Sequence, residues 1–391
     1  IWSNKQLAFV GRAVDPDKTH NSTLKMSIKR CLPGSVPLLI QTPRNIVRTD
    51  VRGLYDIFKK TKGQVLLPSP DGSWRVVRGI TIAGRQNPYK IVLHGGQEIL
   101  ATAEHRFPTD HGLRQVQELS LGDYLHRESI VLPSRNADSD LGWISGLFLA
   151  DGNFTKSSVR FSLHQDEEAY VERICLWGER LGGTWSLARK EKKIQLDVYS
   201  RGLRGVVEQF IEGTSGYDKH LSRQAWSQGD KFLGQFLLGY LQGDAGANTV
   251  AAGKDPTGWN IGFTGRNHEL AKDLRALATV LGHRLFLHAG KRKCQTGLFP
   301  VYQGYYSMSV LGKERHDHEE IVSVMQCPKT TVFDIEVDGD HLFCLAGGIV
   351  THNSIVAACR LTTPSAALFA EDVEETGYTT AEVEAARASK K

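Results

Sequence analysis

The most informative segment of the sequence lies near the end of the chain and reads Leu345-Ala346-Gly347-Gly348-Ile349-Val350-Thr351-His352-Asn353-Ser354. Its apolar run is typical of a buried strand, and it ends in an imidazole, a carboxamide and a hydroxyl on consecutive residues. The carboxamide of Asn353 can attack its own following peptide bond, which closes a succinimide ring and cuts the chain. A proton donor beside the leaving group speeds this attack, and His352 is placed to supply it. His-Asn-Ser is common in ordinary loops, so the tripeptide is informative only together with partners elsewhere.

A second reactive group lies near the start of the chain, in Cys31-Leu32-Pro33-Gly34-Ser35. A cysteine thiolate is a strong nucleophile, and here it can attack the carbonyl of the preceding residue, Arg30. Between the two ends, Thr102-Ala103-Glu104-His105 adds a hydroxyl and an imidazole in a strand-like context.

In this order and spacing the three motifs resemble those of an intein, a protein-splicing element. Leu119-Ser120-Leu121-Gly122-Asp123-Tyr124-Leu125 is similar to the family's Leu-x-x-Gly-Asp turn. Val332–Val337 followed by His341-Leu342-Phe343 is similar to its penultimate splicing block. The resemblance implies an all-β, horseshoe-like splicing (Hint) domain that brings both splice junctions together. It also implies that splicing needs no metal or cofactor.

The resemblance further implies roles for the residues at the N-side junction. Cys31 attacks the Arg30 carbonyl and turns the peptide bond into a thioester. Thr102 and His105 hold and protonate the departing amide, which is the acid half of the step.

At the C-side junction the resemblance implies that Ser354 attacks the thioester to form a branched ester, assisted by Asp334. Asn353 then cyclises with help from His352 and His341. The ester finally rearranges to a peptide bond between the two flanking segments.

The middle of the chain contains a duplication. Two apolar, glycine-containing helices, over 141–152 and 232–244, each carry an aspartate five residues after a glycine, and the copies are 244 − 151 = 93 residues apart. Small residues at such intervals allow two helices to pack backbone to backbone, which would place Asp151 beside Asp244. Two neighbouring carboxylates at helix C-termini repel each other, so the pattern indicates a divalent cation such as Mg²⁺ between them.

This doubled motif resembles that of LAGLIDADG homing endonucleases. The resemblance implies an α+β insertion with duplicated αββαββα-type halves, in which Asp151 and Asp244 are catalytic and bind Mg²⁺. Lysines on the strand-pair turns, Lys193 and Lys291, are then candidates for polarising water or the scissile phosphate. Basic side chains on the strands are candidates for contacts with DNA, namely Arg160, Arg189, Lys192, Arg292 and Lys293. The structural alternative is a buried helix pair with capping acids.

The chain is therefore predicted to contain five consecutive segments. They are an N-extein segment (1–30), the first part of the splicing domain (31–135), the endonuclease (136–320, with halves at about 140–215 and 230–312), the second part of the splicing domain (321–353) and a C-extein segment (354–391).

The composition sets limits on this organisation. With 391 residues, 40% of them hydrophobic, the chain can bury two or three cores, and its net charge of +5 is compatible with nucleic-acid binding. Six cysteines without CxxC spacing indicate neither a zinc site nor a disulfide framework. Because Cys31 must stay reduced, a cytoplasmic setting is predicted. The expected partners are double-stranded DNA, at the uninterrupted host-gene site, and the host flanks in cis, with no membrane and a monomeric protein.

Three alternatives remain open at this point. They are a splicing-active intein with a degenerate endonuclease, a cleavage-only processing domain, and a standalone DNA endonuclease or DNA-binding protein whose β flanks are structural. Asn353 followed directly by Ser354 argues against the cleavage-only domain. Cys31 together with Thr102 and His105 argues against the plain endonuclease.

Overall fold

The structure, a computed structural model, describes residues 8–9, 23–27, 30–133, 135, 137–247, 258–294, 297–307, 318–352 and 356–360. The chain divides into two compact units, Cys31–Asn353 and a second unit formed by Ile1–Arg30 with Ser354–Lys391. In the second unit β1 (Ala8–Phe9) pairs with β2 (Thr23–Ser27), and β2 pairs antiparallel with Val356–Arg360 from the other end of the chain.

The first part of the large unit is built from short strands and one helix. Asp50 caps that helix, because its carboxylate accepts a hydrogen bond from the Gly53 N–H at 2.8 Å. The elements are β3 (Cys31–Pro33), β4 (Pro37–Gln41), β5 (Ile46–Asp50), α1 (Val51–Lys60), β6 (Leu66–Pro68), β7 (Trp74–Gln86), β8 (Tyr89–Leu93), β9 (Glu98–Ala101), β10 (Arg106–Thr109), β11 (Gly112–Gln115) and β12 (Tyr124–His126).

The insertion repeats one order of elements, helix, two strands, helix, two strands. The first copy and the elements after it are α2 (Ser139–Asp151), β13 (Gly152–Phe154), β14 (Val159–His164), α3 (Glu168–Arg180), β15 (Thr184–Lys190), β16 (Lys193–Tyr199), α4 (Arg201–Phe210), β17 (Ile211–Glu212), β18 (His220–Leu221) and α5 (Arg223–Trp226). The second copy is α6 (Asp230–Asp244), β19 (Gly246–Ala247), β20 (Gly258–Thr264), α7 (His268–Val280), β21 (Arg284–Cys294) and β22 (Gly297–Ser307). The two four-stranded sheets have equivalent orders, β13-β14-β16-β15 and β19-β20-β22-β21.

Helices α2 and α6 pack with their backbones in direct contact. A Cβ atom at Gly146 would lie 1.8 Å from the carbonyl oxygen of Phe236, and one at Gly239 would lie 2.1 Å from that of Trp143. Any larger residue at either position would force the helices apart, so the glycines are what permit this approach. The close packing predicted from the small residues is confirmed.

After the insertion the chain returns as β23 (His318–Gln326), β24 (Thr330–Val337), β25 (Leu342–Cys344), β26 (Val350–His352) and β27 (Val356–Arg360). These strands complete sheets begun before the insertion. Within the described residues one sheet has the order β3-β24-β7-β6-β4-β5, and the other has β25-β26-β10-β12-β23-β8-β9 with β11 added on β10. The predicted predominance of β-strands on both sides of the insertion is confirmed.

Two ion pairs of Arg48 join the insertion to these sheets. Arg48 on β5 contacts Glu269 at 2.6 Å and also Asp273, a fully buried residue of α7. Asp273 in addition accepts a hydrogen bond from the Leu221 N–H at 2.8 Å. This contact connects a strand that precedes the insertion with a helix of the insertion, and loss of either partner would leave a buried group less well paired.

Among the described residues, every helix is too short or too polar to span a bilayer.

Candidate functional site

The peptide group before Cys31 is held by Thr102. Cys31 lies on β3 and is fully buried, and its N–H donates a hydrogen bond to Thr102 Oγ1 at 3.1 Å. The same hydroxyl donates to the Cys31 carbonyl at 3.2 Å, and the Thr102 N–H donates to that carbonyl at 3.1 Å. The hydroxyl therefore lies at the nitrogen that must gain a proton if the bond between Arg30 and Cys31 breaks.

His105 connects this region to the C-side strand. Its N–H donates to the Thr102 carbonyl at 3.1 Å, which forms the turn that leads into β10. Its imidazole is buried, stacks near Phe107 and is hydrogen-bonded through Nε2 to Thr351 Oγ1 at 2.5 Å. Thr351 directly precedes His352, so one hydrogen bond links the two halves of the predicted splicing set. Thr351 was not predicted from the sequence, where it differs from its apolar neighbours only by its hydroxyl.

Asp334 lies beside Cys31 on the neighbouring strand. Strand β24 pairs with β3, and the two residues are direct partners in that antiparallel register. Side chains of such partners point to the same face with Cβ atoms about 4.5–5.5 Å apart. The structure thus brings the predicted carboxylate to the level of the predicted nucleophile.

The two C-side histidines are also neighbours. His352 is buried on β26, and its ring centroid lies 5.9 Å from that of His341. His341 has a left-handed backbone with φ of 61°, and its Nδ1 lies 3.3 Å from the Val337 carbonyl oxygen. The strand that carries His352 pairs with β10, where Arg106 is its direct partner. Asn353 and Ser354 lie outside the described residues.

Asp151 and Asp244 end α2 and α6 and interact electrostatically. Burial and the charge of Asp244 raise the pKa of Asp151 to about 7, with a smaller contribution from Glu167. Desolvation also raises the pKa of Asp244, although much of its side chain reaches solvent, and the charge of Lys219 opposes that shift. The two carboxylates therefore form a strained like-charge pair at one end of the helix pair.

Lys219 is the lysine whose charge acts on both carboxylates. Its buried ammonium donates to the carbonyl oxygens of Phe148, at 3.0 Å, and Gly152, at 2.9 Å, and so caps the C-terminal end of α2. Burial lowers the pKa of Lys219 to about 8, against the opposite influence of Asp244 and Asp151. Lys219 was not predicted from the sequence, because it lies in the loop before β18 and not on a strand-pair turn.

The lysines that the sequence did indicate lie elsewhere on the insertion. Lys193 begins β16 and Lys291 lies on β21, and both are exposed.

The predicted DNA-contacting residues differ in their surroundings. Arg160 is bound to Asp197 through two hydrogen bonds of 2.9 and 3.1 Å, so a carboxylate already occupies its guanidinium. Arg189 forms an ion pair with Glu168. Lys192, Arg292 and Lys293 are exposed on the hairpin turn between β15 and β16 and on β21.

Cys344 lies close to this region in the sequence but is not prepared for reaction. It is fully buried on β25, and burial together with Glu128 and Asp71 raises the pKa of its thiol. It therefore remains protonated near neutral pH, in keeping with a packing role.

No family model matches the chain, but several solved structures are similar to it. Among solved structures it is similar to a variant of the Ssp DnaB mini-intein, with 11% identity and a TM-score of 0.32 over 84% of this chain and 95% of that one. It is similar to a DnaB intein from Synechocystis sp. PCC 6803, with 12% identity and a TM-score of 0.30 over 83% and 99% of the two chains. A third match is the transcription factor IIB Mvu mini-intein, with 17% identity and a TM-score of 0.22 over 25% and 70%. The three solved structures are all inteins, and they are 11–17% identical to this chain.

Proposed function

We propose that the chain excises residues 31–353 and joins Arg30 to Ser354 by protein splicing. The observation that carries the proposal is the pair of hydrogen bonds between the Thr102 hydroxyl and the backbone of the buried Cys31. An acyl shift from nitrogen to sulfur needs a polar group at the scissile nitrogen and a thiol on the same residue. Thr102 and the buried Cys31 provide these two groups.

The N-side step forms one bond and breaks another. The sulfur of Cys31 attacks the Arg30 carbonyl carbon, the carbon–nitrogen bond breaks, and the thiol proton ends on the new amine. Thr102 holds the nitrogen in place, and His105 anchors the turn that carries Thr102.

The following steps use the C-side residues. The Ser354 hydroxyl attacks the thioester, which releases the Cys31 thiol and leaves a branched ester. The Asn353 carboxamide nitrogen attacks its own carbonyl carbon, the peptide bond to Ser354 breaks, and His352 gives a proton to the departing amine. That amine then attacks the ester, so that a peptide bond replaces it.

The flanking strands support the same conclusion independently. Ser27 and Val356 are direct antiparallel partners, although 356 − 27 = 329 positions separate them in the unspliced chain. After excision only residues 28–30 and 354–355 lie between them, which makes a five-residue connection. Hairpin loops commonly have about two to five residues. The joined product would thus close an ordinary β-hairpin at the splice junction.

A gel of freshly expressed protein separates this function from its rivals. Splicing yields the excised 31–353 segment and a joined flank product, and a cleavage-only domain yields separate ends. A plain endonuclease leaves the chain whole. The variant that combines Cys31→Ala with Asn353→Ala is the matched control, and it should remain whole under every condition.

We propose as a second function that the insertion is a LAGLIDADG-type endonuclease that cuts double-stranded DNA. The supporting observation is that Asp151 and Asp244 end the two packed helices and that burial raises the pKa of both carboxyls. A divalent cation between them would offset their repulsion. These two carboxylates would hold Mg²⁺, which supplies Lewis-acid chemistry at a phosphate. Lys219 places a further cationic group beside them, and we assign the lysine role to it in preference to Lys193 and Lys291.

Plasmid cleavage at the uninterrupted host-gene site tests this second function. Asp151→Asn and Lys219→Met should each abolish Mg²⁺-dependent cutting, whereas Lys193→Met should retain it. Full cutting by both the Asp151 and Lys219 variants would refute the assignment. A wild type that never cuts would leave a splicing protein with a degenerate nuclease.

A further inference from the structure

Three side chains with metal-binding atoms meet on the eight-stranded sheet, outside both sites described above. Asp110 directly follows β10, His126 ends β12 and His318 begins β23. The three strands are neighbours in the sheet, and His126 and His318 are direct partners in the β12–β23 register. Strand pairing therefore fixes the relative positions of these three residues.

The separations suit a small transition-metal ion. His318 Nε2 lies 3.1 Å from Asp110 Oδ1, and His126 Nε2 lies 4.0 Å from the same oxygen. All three candidate ligand atoms lie within 4.8 Å of one another. Around a tetrahedral Zn²⁺ with bonds of about 2.0–2.1 Å, neighbouring ligand atoms are roughly 3.3 Å apart. Small side-chain rotations would bring the three atoms to these distances.

A solvated Asp–His ion pair is the ordinary explanation for such contacts, but it needs only one imidazole. Here a second imidazole stands edge-on to the first, with ring centroids 4.6 Å apart and planes at 83°. The chain contains the simple pair elsewhere, since His164 Nδ1 lies 3.1 Å from Asp166 Oδ2 on the insertion. The two arrangements share the ion pair and differ in the third ligand, which makes the simple pair a matched control.

We propose that Asp110, His126 and His318 bind a zinc-class transition-metal ion. Two imidazole nitrogens and one carboxylate oxygen are a donor set that favours Zn²⁺, Co²⁺ or Ni²⁺ over Mg²⁺ or Ca²⁺. The side chains are 30–43% exposed, so water can complete the coordination shell. The site could not be predicted from the spacing of cysteines, because its ligands are two histidines and an aspartate. They come together only when strands on either side of the insertion pair.

The position of the site gives the ion a structural consequence. His126 ends the last strand before the insertion and His318 begins the first strand after it, 318 − 126 = 192 positions later. A shared ion would hold together β12 and β23, the two paired strands between which the insertion lies. It would also attach the end of β10, whose first residue, Arg106, is the partner of His352. We therefore expect metal to stabilise the large unit as a whole.

Cobalt titration of the full chain carrying Cys31→Ala and Asn353→Ala tests the proposal. This background stays in one piece whether or not the wild type splices, so the result is independent of the proposed function. After removal of metal with a chelator, one equivalent of Co²⁺ should produce intense visible bands without thiolate charge transfer. Equimolar Zn²⁺ should then displace the cobalt.

Variants identify the ligands. Loss of a residue that merely supports a ligand costs 10–100-fold in affinity, so His126→Ala and His318→Ala should each weaken cobalt binding at least about tenfold. Asp110→Asn should weaken it similarly, and His164→Ala should leave it unchanged. The melting temperature without metal should be the same in all four variants, whereas the zinc-induced rise should be lost in the first three. The proposal would be overturned if the parent bound no cobalt or bound it with thiolate bands. It would also be overturned if His126→Ala and His318→Ala bound cobalt as tightly as the parent.

Discussion

Replacing Thr102 by valine tests the N-side chemistry most sharply. Valine has nearly the same shape but lacks the hydroxyl that accepts from the Cys31 N–H at 3.1 Å and donates to the Cys31 carbonyl at 3.2 Å. The Cys31 carbonyl keeps the Thr102 N–H at 3.1 Å, so the main loss is the acceptor for the scissile N–H. Taking a partner from a buried polar group costs about 1–3 kcal/mol of folding free energy.

The rate should fall more than the stability. Removing one preorganised hydrogen-bonding group from a reacting centre typically costs about 10²–10³ in rate, or roughly 3–4 kcal/mol. The assay is cleavage at the N-side of Asn353→Ala protein by added thiol, because thiol traps the thioester and C-side cyclisation is blocked. Thr102→Val should be slower by about two to three orders of magnitude.

Thr102→Ser is the matched control, since it keeps the hydroxyl and should cleave within a few-fold of the parent protein. Equal thiol-induced cleavage by Thr102→Val and the parent would refute the role assigned to Thr102. A melting curve of each variant separates a loss of reactivity from a loss of fold.

Three further perturbations follow from the contacts described above. Thr351→Val removes the hydrogen bond to His105 and should slow thiol-induced N-side cleavage about tenfold or more, because it disturbs the position of an acid–base group. Thr351→Ser keeps the hydroxyl and should cleave at the parent rate. An unchanged rate in Thr351→Val would show that the contact is only structural. Asp273→Ala removes the fully buried carboxylate that contacts Arg48 and accepts from the Leu221 N–H, while Glu269 still contacts Arg48, so it should destabilise the blocked precursor by about 1–3 kcal/mol in denaturant unfolding. An unfolding free energy equal to that of the parent would mean that this carboxylate adds no stability. Because the pKa of Asp151 is raised to about 7, its protonated form is favoured in the folded state, so the unfolding free energy of the metal-free protein should fall as pH rises from about 4 to about 7. Asp151→Asn should lack that fall, and an identical pH profile in both proteins would contradict the assignment.

The sequence predicted the features that depend on local patterns. Glycine spacing anticipated the close packing of α2 on α6, because small residues at helical intervals have a direct steric meaning. The residues proposed for splicing were predicted from resemblance. In the structure Thr102 hydrogen-bonds to the Cys31 backbone, and Asp334 is paired with Cys31 in the strand register.

The features that the sequence did not predict all depend on partners far apart in the chain. The contact between His105 and Thr351 joins strands 246 positions apart, and the pairing of His126 with His318 spans the insertion. Lys219 was missed for a related reason, because analogy between the two repeat copies points to hairpin lysines and away from a loop. No local periodicity reports such contacts, since they arise only when the sheets assemble.

The Arg48–Asp273 pair also qualifies the expected independence of the two functions. Asp151 and Asp244 lie away from the splicing residues in sequence, so their substitution is expected to spare splicing. A change at Asp273 acts on both parts, because its partner Arg48 lies on β5, which precedes the insertion. Substitutions at some residues of the insertion are therefore expected to affect only DNA cleavage, whereas substitutions at others would affect splicing as well.

Protein splicing would remove the middle of the chain and join its two ends. Tandem mass spectrometry of the purified products, under reducing conditions, tests this proposal directly. We expect a peptide in which Arg30 is followed by Ser354, together with an excised segment that begins at Cys31 and ends in a C-terminal succinimide or its hydrolysis product. A product mixture that contains separate flanks but no Arg30–Ser354 peptide would contradict it.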